Sequence, residues 1–297
     1  MNSITEIEDS AVCDEDGIML KRVITGICVL AVVIPVLIFS DTWVFPIAIA
    51  AISVICIYEL ARCMGLEKHI FLVLPLYIFA LAFPFLQRFF ENDFNVASIA
   101  IIAIIFYVAH IFGWVIFSRG KIPYPEACTL CLTAFYVLFA LNTVIFIRDY
   151  TNGQYIYLLI FIGAWLTDTF AYFTGRLFGK HKLAPDISPK KTIEGSIGGT
   201  VFCSIGFVVM GAIVGAIAPE TSPNYLYLAI SGLIIAGISQ AGDLIMSAIK
   251  RHYGVKDFGN ILPGHGGMLD RMDSILSVSI GIEMLIMFTY LTKISLF

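Results

Sequence analysis

Apolar stretches of roughly 17 to 24 residues recur along the chain, and each is long enough to cross about 30 Å of hydrocarbon as an α-helix. Only 13% of the residues are charged, whereas a soluble domain carries roughly 25%. Too little polar surface therefore remains to face water, so the bilayer must be the solvent for most of the chain. We expect an all-α integral membrane protein.

About nine transmembrane helices are predicted. Little more than Ser40 and Asp41 separates the first two, and Pro35 and Pro46 within them favour kinks and a tight hairpin. The predicted spans are Val23–Phe39, Thr42–Leu60, Ile70–Leu86, Val96–Phe117, Ala127–Ile147, Tyr155–Phe173, Ser196–Ala218, Tyr225–Met246 and Ile275–Leu291.

The orientation follows from the positions of lysine and arginine, which concentrate on the cytoplasmic side of membrane proteins. With the N-terminus in the cytoplasm, fifteen of the eighteen basic residues fall inside, and only Arg88, Arg148 and Lys293 fall outside. An odd number of spans then places the C-terminus outside.

Two predicted cytoplasmic connections are long and basic. Residues 175–194 and 247–274 together hold nine of the eighteen lysines and arginines. Ordinary topogenic loops would look the same. Three further features favour a functional site at this face.

The first feature is a set of acidic residues inside apolar spans. Asp168 lies about two turns before the end of the sixth span, and Asp243 about one turn before the end of the eighth. An ionised carboxylate there costs roughly 3 kcal/mol unless it is paired or hydrated, and a divalent cation is a sufficient partner. Glu283 lies deeper. It either lines the same cavity or is buried protonated against Asn142 or Gln240.

The second feature is the pair Asp270 and Asp273 at the predicted start of the ninth helix. The i, i+3 spacing puts both on one face, and carboxylate oxygens suit Mg²⁺, which binds one or two carboxylates together with substrate phosphates. Capping of the helix N-terminus is the alternative reading.

The third feature is a glycine-rich turn just before these aspartates. Gly264, Gly266 and Gly267 free the backbone to approach a ligand and to present amide groups to an anion. Such a turn leading into a helix favours phosphate binding. Basic residues before it and acidic residues after it strengthen this interpretation.

The C-terminal half contains runs that resemble the motifs of phosphatidate cytidylyltransferases, also called CDP-diacylglycerol synthases. The diagnostic run is Ser247-x2-Lys250-Arg251-x4-Lys256-Asp257-x-Gly259-x2-Leu262-Pro263-x-His265-Gly266-Gly267-Met268-x-Asp270-Arg271-x-Asp273. A second region is similar in Asp168-x2-Ala171-Tyr172-x2-Gly175-Arg176 and Ser188-Pro189-Lys190-Lys191-Thr192-x-Glu194-Gly195. The N-terminal half matches only in hydropathy and span count.

The resemblance implies transfer of the cytidylyl group of CTP to phosphatidic acid, giving CDP-diacylglycerol and pyrophosphate. The lipid phosphate can attack the α-phosphorus directly, so catalysis consists of positioning two polyanions and neutralising their charge. The partners implied are CTP, phosphatidic acid and the bilayer, with Mg²⁺ as cofactor. Nucleic acid is not expected, and a homodimer stays open.

The same resemblance assigns the site residues. Asp243 and Asp270 are the first metal ligands, with Asp168 and Asp273 as further ligands or their neighbours. The triphosphate and pyrophosphate are assigned to Lys250, Arg251, Lys256 and Arg271, with Gly264, Gly266 and Gly267 as the cradle. Lys190 and Lys191 hold either CTP or the phosphatidate headgroup. His265 contacts phosphate, or is only a satisfied loop histidine.

Three regions are predicted: a disordered acidic tail at 1–20, helices one to five at 21–150, and a catalytic part with helices six to nine at 151–297. The short chain resembles bacterial members of the family, so we expect the inner membrane with the site at the cytoplasmic face. Two alternatives remain. One is a CTP-dependent enzyme with another lipid acceptor. The other is a transporter, although transporter sites lie near the midplane and no inverted repeat is visible.

Overall fold

The computed structural model describes residues 24–90, 93–118, 123–293 and 296–297. Within these ranges the chain forms nine α-helices and one short β-hairpin. The helices are α1 (Ile24–Ile38), α2 (Val44–Cys63), α3 (Ile70–Phe89), α4 (Asp93–Phe117), α5 (Tyr124–Asp149), α6 (Gly153–Phe178), α7 (Ile193–Ile217), α8 (Tyr225–His252) and α9 (Leu269–Thr292). The tail predicted at 1–20 lies outside the described residues.

Seven of these helices, α2 and α4 to α9, are long and apolar enough to cross a membrane. The apolar segments of α1 and α3 are shorter, at Ile24–Ile38 and Ile70–Leu86. Each predicted span coincides with a helix. The prediction of an all-α membrane protein is therefore confirmed as a fold class. Within a bilayer a helix satisfies all its backbone hydrogen bonds internally, which explains why apolar content alone located these segments.

The predicted helix ends were wrong where polar residues continue the helix past the apolar core. The eighth span was predicted to end at Met246, but α8 continues to His252. The ninth span was predicted from Ile275, with its helix already beginning near Asp270, and α9 does begin at Leu269. The connection predicted at 247–274 is therefore confined to residues 253–268, and its basic and acidic ends belong to helices.

The connection between α6 and α7 contains a hairpin that the sequence did not predict. Strand β1 (Lys182–Ala184) pairs antiparallel with β2 (Ser188–Thr192). One carboxylate oxygen of Glu194 accepts the backbone N–H groups of Lys180 and His181, at 3.0 and 3.2 Å. Glu194 thereby fixes the base of the hairpin against the start of α7.

The C-terminal helices form a tightly packed group, in which α6 packs most extensively against α7, and α8 packs against both α7 and α9. Helix α5 joins this group to α2 and α3, and 67% of its most apolar segment is buried, compared with 17% for α4. The centre of the molecule therefore lies around α5 and α9, and α4 is peripheral.

Polar contacts gather at the two ends of the bundle. At the end where α5 turns into α6, Arg88 donates to both carboxylate oxygens of Asp149 at 2.8 Å and to the carbonyl groups of Ser40 and Thr42. Arg148 donates to the Ser40 hydroxyl at 2.7 Å. This arginine cluster joins α3, α5 and the α1–α2 turn. The end of α6 lies at the opposite end of the bundle.

Candidate active site

A polar cavity of about 490 Å³ lies at the end of the bundle where α6 and α8 finish and α7 and α9 begin. The β-hairpin contributes to its wall. Its charged lining comprises Asp168, Asp243, Asp257, Asp270, Asp273, Arg176, Lys190, Lys191, Lys250 and Arg271. Acidic and basic groups are balanced there, as a site for an anion with a cation requires.

Close contact between α6 and α7 shapes one wall of the cavity. A Cβ at Gly195 would lie 2.5 Å from the Ala171 carbonyl oxygen, and one at Gly199 would lie 2.6 Å from the Thr167 carbonyl oxygen. Only glycine allows the two backbones to approach so closely. The Thr192 hydroxyl caps α7 by accepting the Gly195 N–H at 3.1 Å. The cap joins the end of β2 to the start of α7.

Lys191 and Asp243 form the first ion pair of the cavity. The Nζ atom of Lys191 lies 2.6 Å from Oδ2 of Asp243, and both side chains are about a quarter exposed. The Ser247 hydroxyl donates to the other oxygen of Asp243 at 3.2 Å. This pair connects the hairpin to the last turns of α8.

Lys250 and Asp270 form a second, more deeply buried pair. Their Nζ and Oδ1 atoms are 2.8 Å apart, and the two side chains are only 9% and 2% exposed. The second oxygen of Asp270 accepts the backbone N–H groups of Phe258 and Gly267, at 2.8 and 2.9 Å. Asp270 therefore joins α8, the 253–268 connection and α9.

Ser274 brings the remaining two helix aspartates together. Its hydroxyl donates to Asp168 at 2.9 Å, and its backbone N–H donates to Asp273 at 2.8 Å. Neither aspartate has a salt bridge within the described residues. Two carboxylates on one cavity wall that make no salt bridge in the described part of the chain are suited to a bound cation.

No group of three or more histidine, cysteine, aspartate or glutamate side chains is arranged as a metal site in the part of the chain that the structure describes. This arrangement is compatible with Mg²⁺, which usually binds one or two carboxylates, several waters and the phosphates of its substrate rather than a protein cage. The donors available in the cavity are hard carboxylate oxygens, which match that ion.

The family model described as the cytidylyltransferase family matches residues 20–290. The chain belongs to the cytidylyltransferase family. It is 36% identical over 268 residues to the phosphatidate cytidylyltransferase of Bacillus subtilis, covering 88% of this chain and 94% of that protein. It is 34% identical over 264 residues to the phosphatidate cytidylyltransferase of Staphylococcus haemolyticus, covering 88% and 96%. The similarity therefore includes the N-terminal helices, where the sequence motifs gave no sign of it.

In this cytidylyltransferase family member, most of the predicted site residues meet in the cavity. Those that line it are Asp168, Asp243, Asp270, Asp273, Lys190, Lys191, Lys250 and Arg271. Arg251 and Lys256 are exposed and do not line it, and a guanidinium N–H of Arg251 donates to the Val255 carbonyl at 2.9 Å. Glu283, predicted to line the cavity or to be buried, is not among the lining residues either.

The glycine-rich turn lies behind the cavity rather than on its wall. Gly264 and Gly266 adopt φ angles of 76° and 86°, which side chains rarely tolerate. The turn closes where Leu262 donates to the Gly266 carbonyl and His265 donates to the Leu262 carbonyl, both at 2.9 Å. The Gly267 amide is used by Asp270. Phosphate binding by these glycines and by His265 stays a prediction, and what the structure shows is a turn that positions Asp270.

Sequence reasoning missed Arg176, Gln240 and Asp257 as cavity residues, and it missed Glu59 altogether. Gln240 donates to Ser196 and Thr200 across the start of α7. Glu59 is a buried acid in an apolar span, so the rule that singled out Asp168 and Asp243 applied to it equally. Its partners lie 209 and 210 residues away in sequence, which no local pattern indicates.

Proposed function

We propose that this chain is a phosphatidate cytidylyltransferase, which transfers the cytidylyl group of CTP to phosphatidic acid and releases pyrophosphate. The observation that carries the proposal is the cavity, in which lysine–aspartate pairs and two further aspartates lie at the end of a bundle of apolar helices. Membership of the family and the names of its relatives in Bacillus subtilis and Staphylococcus haemolyticus support the substrates.

The geometry suits a reaction between a lipid and a water-soluble nucleotide. A phosphate oxygen of phosphatidate would attack the α-phosphorus of CTP, forming one P–O bond while the bond to pyrophosphate breaks. Both reactants are polyanions, so the basic residues around the cavity would bring them together and stabilise the charge that develops on the leaving group. Lys190, Lys191, Lys250 and Arg271 are placed for this role.

Mg²⁺ is the cofactor we propose, and when bound it would neutralise phosphate oxygens and stabilise the leaving pyrophosphate. Asp243 and Asp270 are the first candidate ligands, and Asp168 and Asp273 are further candidates. Asp168 and Asp273 meet at Ser274 without a salt bridge among the described residues, which supports their inclusion. Lys191 and Lys250 each form an ion pair with one oxygen of the other two.

We propose further that all nine helices cross the inner membrane of a bacterial cell, with the N-terminus and the cavity on the cytoplasmic side and the C-terminus outside. Two of the three basic residues predicted outside, Arg88 and Arg148, lie in the arginine cluster at the end opposite the cavity. This arrangement supports the orientation, because CTP reaches the protein from the cytoplasm and phosphatidate from the bilayer.

The test is pyrophosphate release by purified protein in detergent micelles. We expect release from CTP only when phosphatidate and Mg²⁺ are both present, with CDP-diacylglycerol formed in equal amount. Diacylglycerol, which lacks the attacking phosphate, is the matched control lipid. Activity with an isoprenoid phosphate and none with phosphatidate would contradict phosphatidate as the lipid acceptor. If no lipid phosphate supported CTP turnover, the proposed enzyme class would be contradicted.

A further inference from the structure

Glu59 connects α2 to the start of α9, although it is far from the cavity residues in sequence. It is 1% exposed. Its two carboxylate oxygens accept the backbone N–H groups of Met268 and Leu269, at 3.0 and 2.8 Å. The N-terminal amides of a helix lack partners within the helix, and Met268 at the N-cap provides no side-chain cap. Glu59 therefore caps α9 from another helix.

Two glycines form a closely fitting slot around this carboxylate. A Cβ at Gly267 would lie 2.6 Å from both carboxylate oxygens of Glu59, and one at Gly259 would meet the same group. Side chains at these positions would displace the carboxylate or the turn. The glycines thus let the backbone of the 253–268 connection close around Glu59.

The amides bound by Glu59 continue directly into the site. The N–H of Gly267 donates to Asp270, and the next two N–H groups along the chain donate to Glu59. Three successive amides are therefore held by two carboxylates. The partial positive charge at the N-terminus of a helix stabilises both carboxylates. A displacement of Glu59 would move the backbone that carries Asp270 and Asp273.

We infer that Glu59 is a positioning residue for catalysis, which sets the place of the α9 aspartates in the cavity through the backbone of Met268 and Leu269. The inference rests on the proposed function for its kinetic consequence. The anchoring itself rests only on the contacts of Glu59.

The kinetic test is Glu59→Gln, which keeps the size of the side chain but places an NH₂ group against one of the two backbone donors. We expect kcat to fall about ten- to hundred-fold, the CTP KM to change by less than about threefold, and the Mg²⁺ concentration for half-maximal rate to rise. The basic residues of the hairpin and Lys250 on α8 are untouched and only Arg271 lies on α9, which is why CTP binding is largely kept. Glu59→Asp, which retains the charge, should recover part of the lost kcat.

The matched control is Glu67→Gln, the same chemical change on a partly buried residue just beyond α2 that does not line the cavity. It should leave kcat and Mg²⁺ dependence unchanged. Melting temperatures are measured for every variant without metal. Glu59→Gln with wild-type kcat and Mg²⁺ dependence would overturn the inference, and so would a loss of activity fully accounted for by a lowered fraction of folded protein.

Hydrogen exchange provides a readout that does not depend on activity. In Glu59→Gln the amides of Met268 and Leu269 should exchange faster, while amides in α5 and α7 keep their wild-type rates. Unchanged exchange at these two amides would contradict the anchoring. If Glu59→Gln does not fold, the variant Gly259→Ala displaces the same carboxylate and should give the same pattern. A wild-type protein that releases no pyrophosphate would contradict the proposed function. The exchange experiment would still show whether Glu59 anchors the start of α9.

Discussion

The aspartates of the cavity differ in what holds them. Asp270 is buried against Lys250 and two backbone amides. Asp243 pairs with Lys191 at a more exposed position. Removing one member of a buried pair leaves an uncompensated charge that costs about 3 to 5 kcal/mol, and this cost falls as the remaining charge becomes more accessible to water. The same substitution should therefore have different effects on stability at the two positions.

The first prediction compares Asp243→Asn with Asp270→Asn. Both should lose several orders of magnitude in turnover if the carboxylates bind Mg²⁺. Asp270→Asn should also lower the stability of the metal-free protein more than Asp243→Asn does, because Lys250 loses its partner at the more deeply buried position. Turnover against Mg²⁺ concentration and thermal unfolding without metal measure the two effects. Full activity of Asp243→Asn with unchanged Mg²⁺ dependence would remove Asp243 from the site.

The second prediction separates basic residues inside the cavity from those outside it. Lys190→Ala and Arg271→Ala should lower kcat/KM for CTP or phosphatidate by about ten- to hundred-fold, because each charge-assisted contact contributes roughly 1.5 to 3 kcal/mol. Arg251→Ala and Lys256→Ala, the matched controls, should change it by less than about threefold because both side chains lie outside the cavity. Equal losses at all four positions would show that the cavity closes around substrate.

The sequence predicted those site residues that stand out by their charge in an apolar span or by their spacing in a motif. A carboxylate in an apolar span is costly wherever it occurs, and this rule found Asp168 and Asp243. It was not applied to Glu59. The pairing of Lys191 with Asp243 could not be predicted from the sequence, because it depends on where the β-hairpin places Lys191 relative to α8.

At the scale of the elements, glycines decide how closely α6 and α7 approach. Lipid provides little hydrophobic driving force between helices, so close packing and small residues hold them together. Gly199 lies on the Thr167 backbone and against Ala171, within one turn of Asp168. The glycine contact therefore sets both the stability of the helix pair and the position of a cavity carboxylate.

The third prediction is that Gly199→Ala destabilises the protein by about 1 to 3 kcal/mol, because the new methyl group would overlap a backbone atom that cannot rotate away. Gly237→Ala on α8 is the matched control. Nothing lies within 4 Å of its added Cβ, so it should be neutral or slightly stabilising through helix propensity. Thermal unfolding in detergent measures both, and equal behaviour of the two variants would contradict the close-packing account.

Helices were predictable from hydropathy, whereas their ends and the hairpin were not. Charged residues such as Lys250 end an apolar run, but they do not end a helix that continues into the interface. The hairpin has no alternating apolar pattern and depends on Glu194 capping backbone N–H groups at its base. Such side-chain-to-backbone contacts carry little sequence signature.

At the scale of the whole molecule, charge is divided between two ends. The cavity occupies one end and the arginine cluster around Arg88 and Asp149 the other. Since consecutive helices alternate in direction, a single missing span would invert every later element.

The fourth prediction is that reporter fusions after Gly175 and after Lys256 report the cytoplasm, and that a fusion after Pro219 reports the outside. If the first two fusions reported opposite sides of the membrane, the two connections could not line one cavity, and the proposed site would be contradicted.

In the two lysine–aspartate pairs, the charged groups of the cavity neutralise one another. A nucleotide arriving alone must compete with Asp243 and Asp270 for their lysines, and a free cation must compete with the lysines for the carboxylates. When both arrive, each lysine exchanges a carboxylate for a phosphate and each carboxylate exchanges a lysine for the cation. The two ligands should therefore show positive heterotropic coupling, with CTP affinity higher in the presence of a divalent cation than in its absence. Calorimetric titration of CTP with and without Ca²⁺ measures this coupling in the absence of turnover, and identical affinities would show that the pairs stay closed.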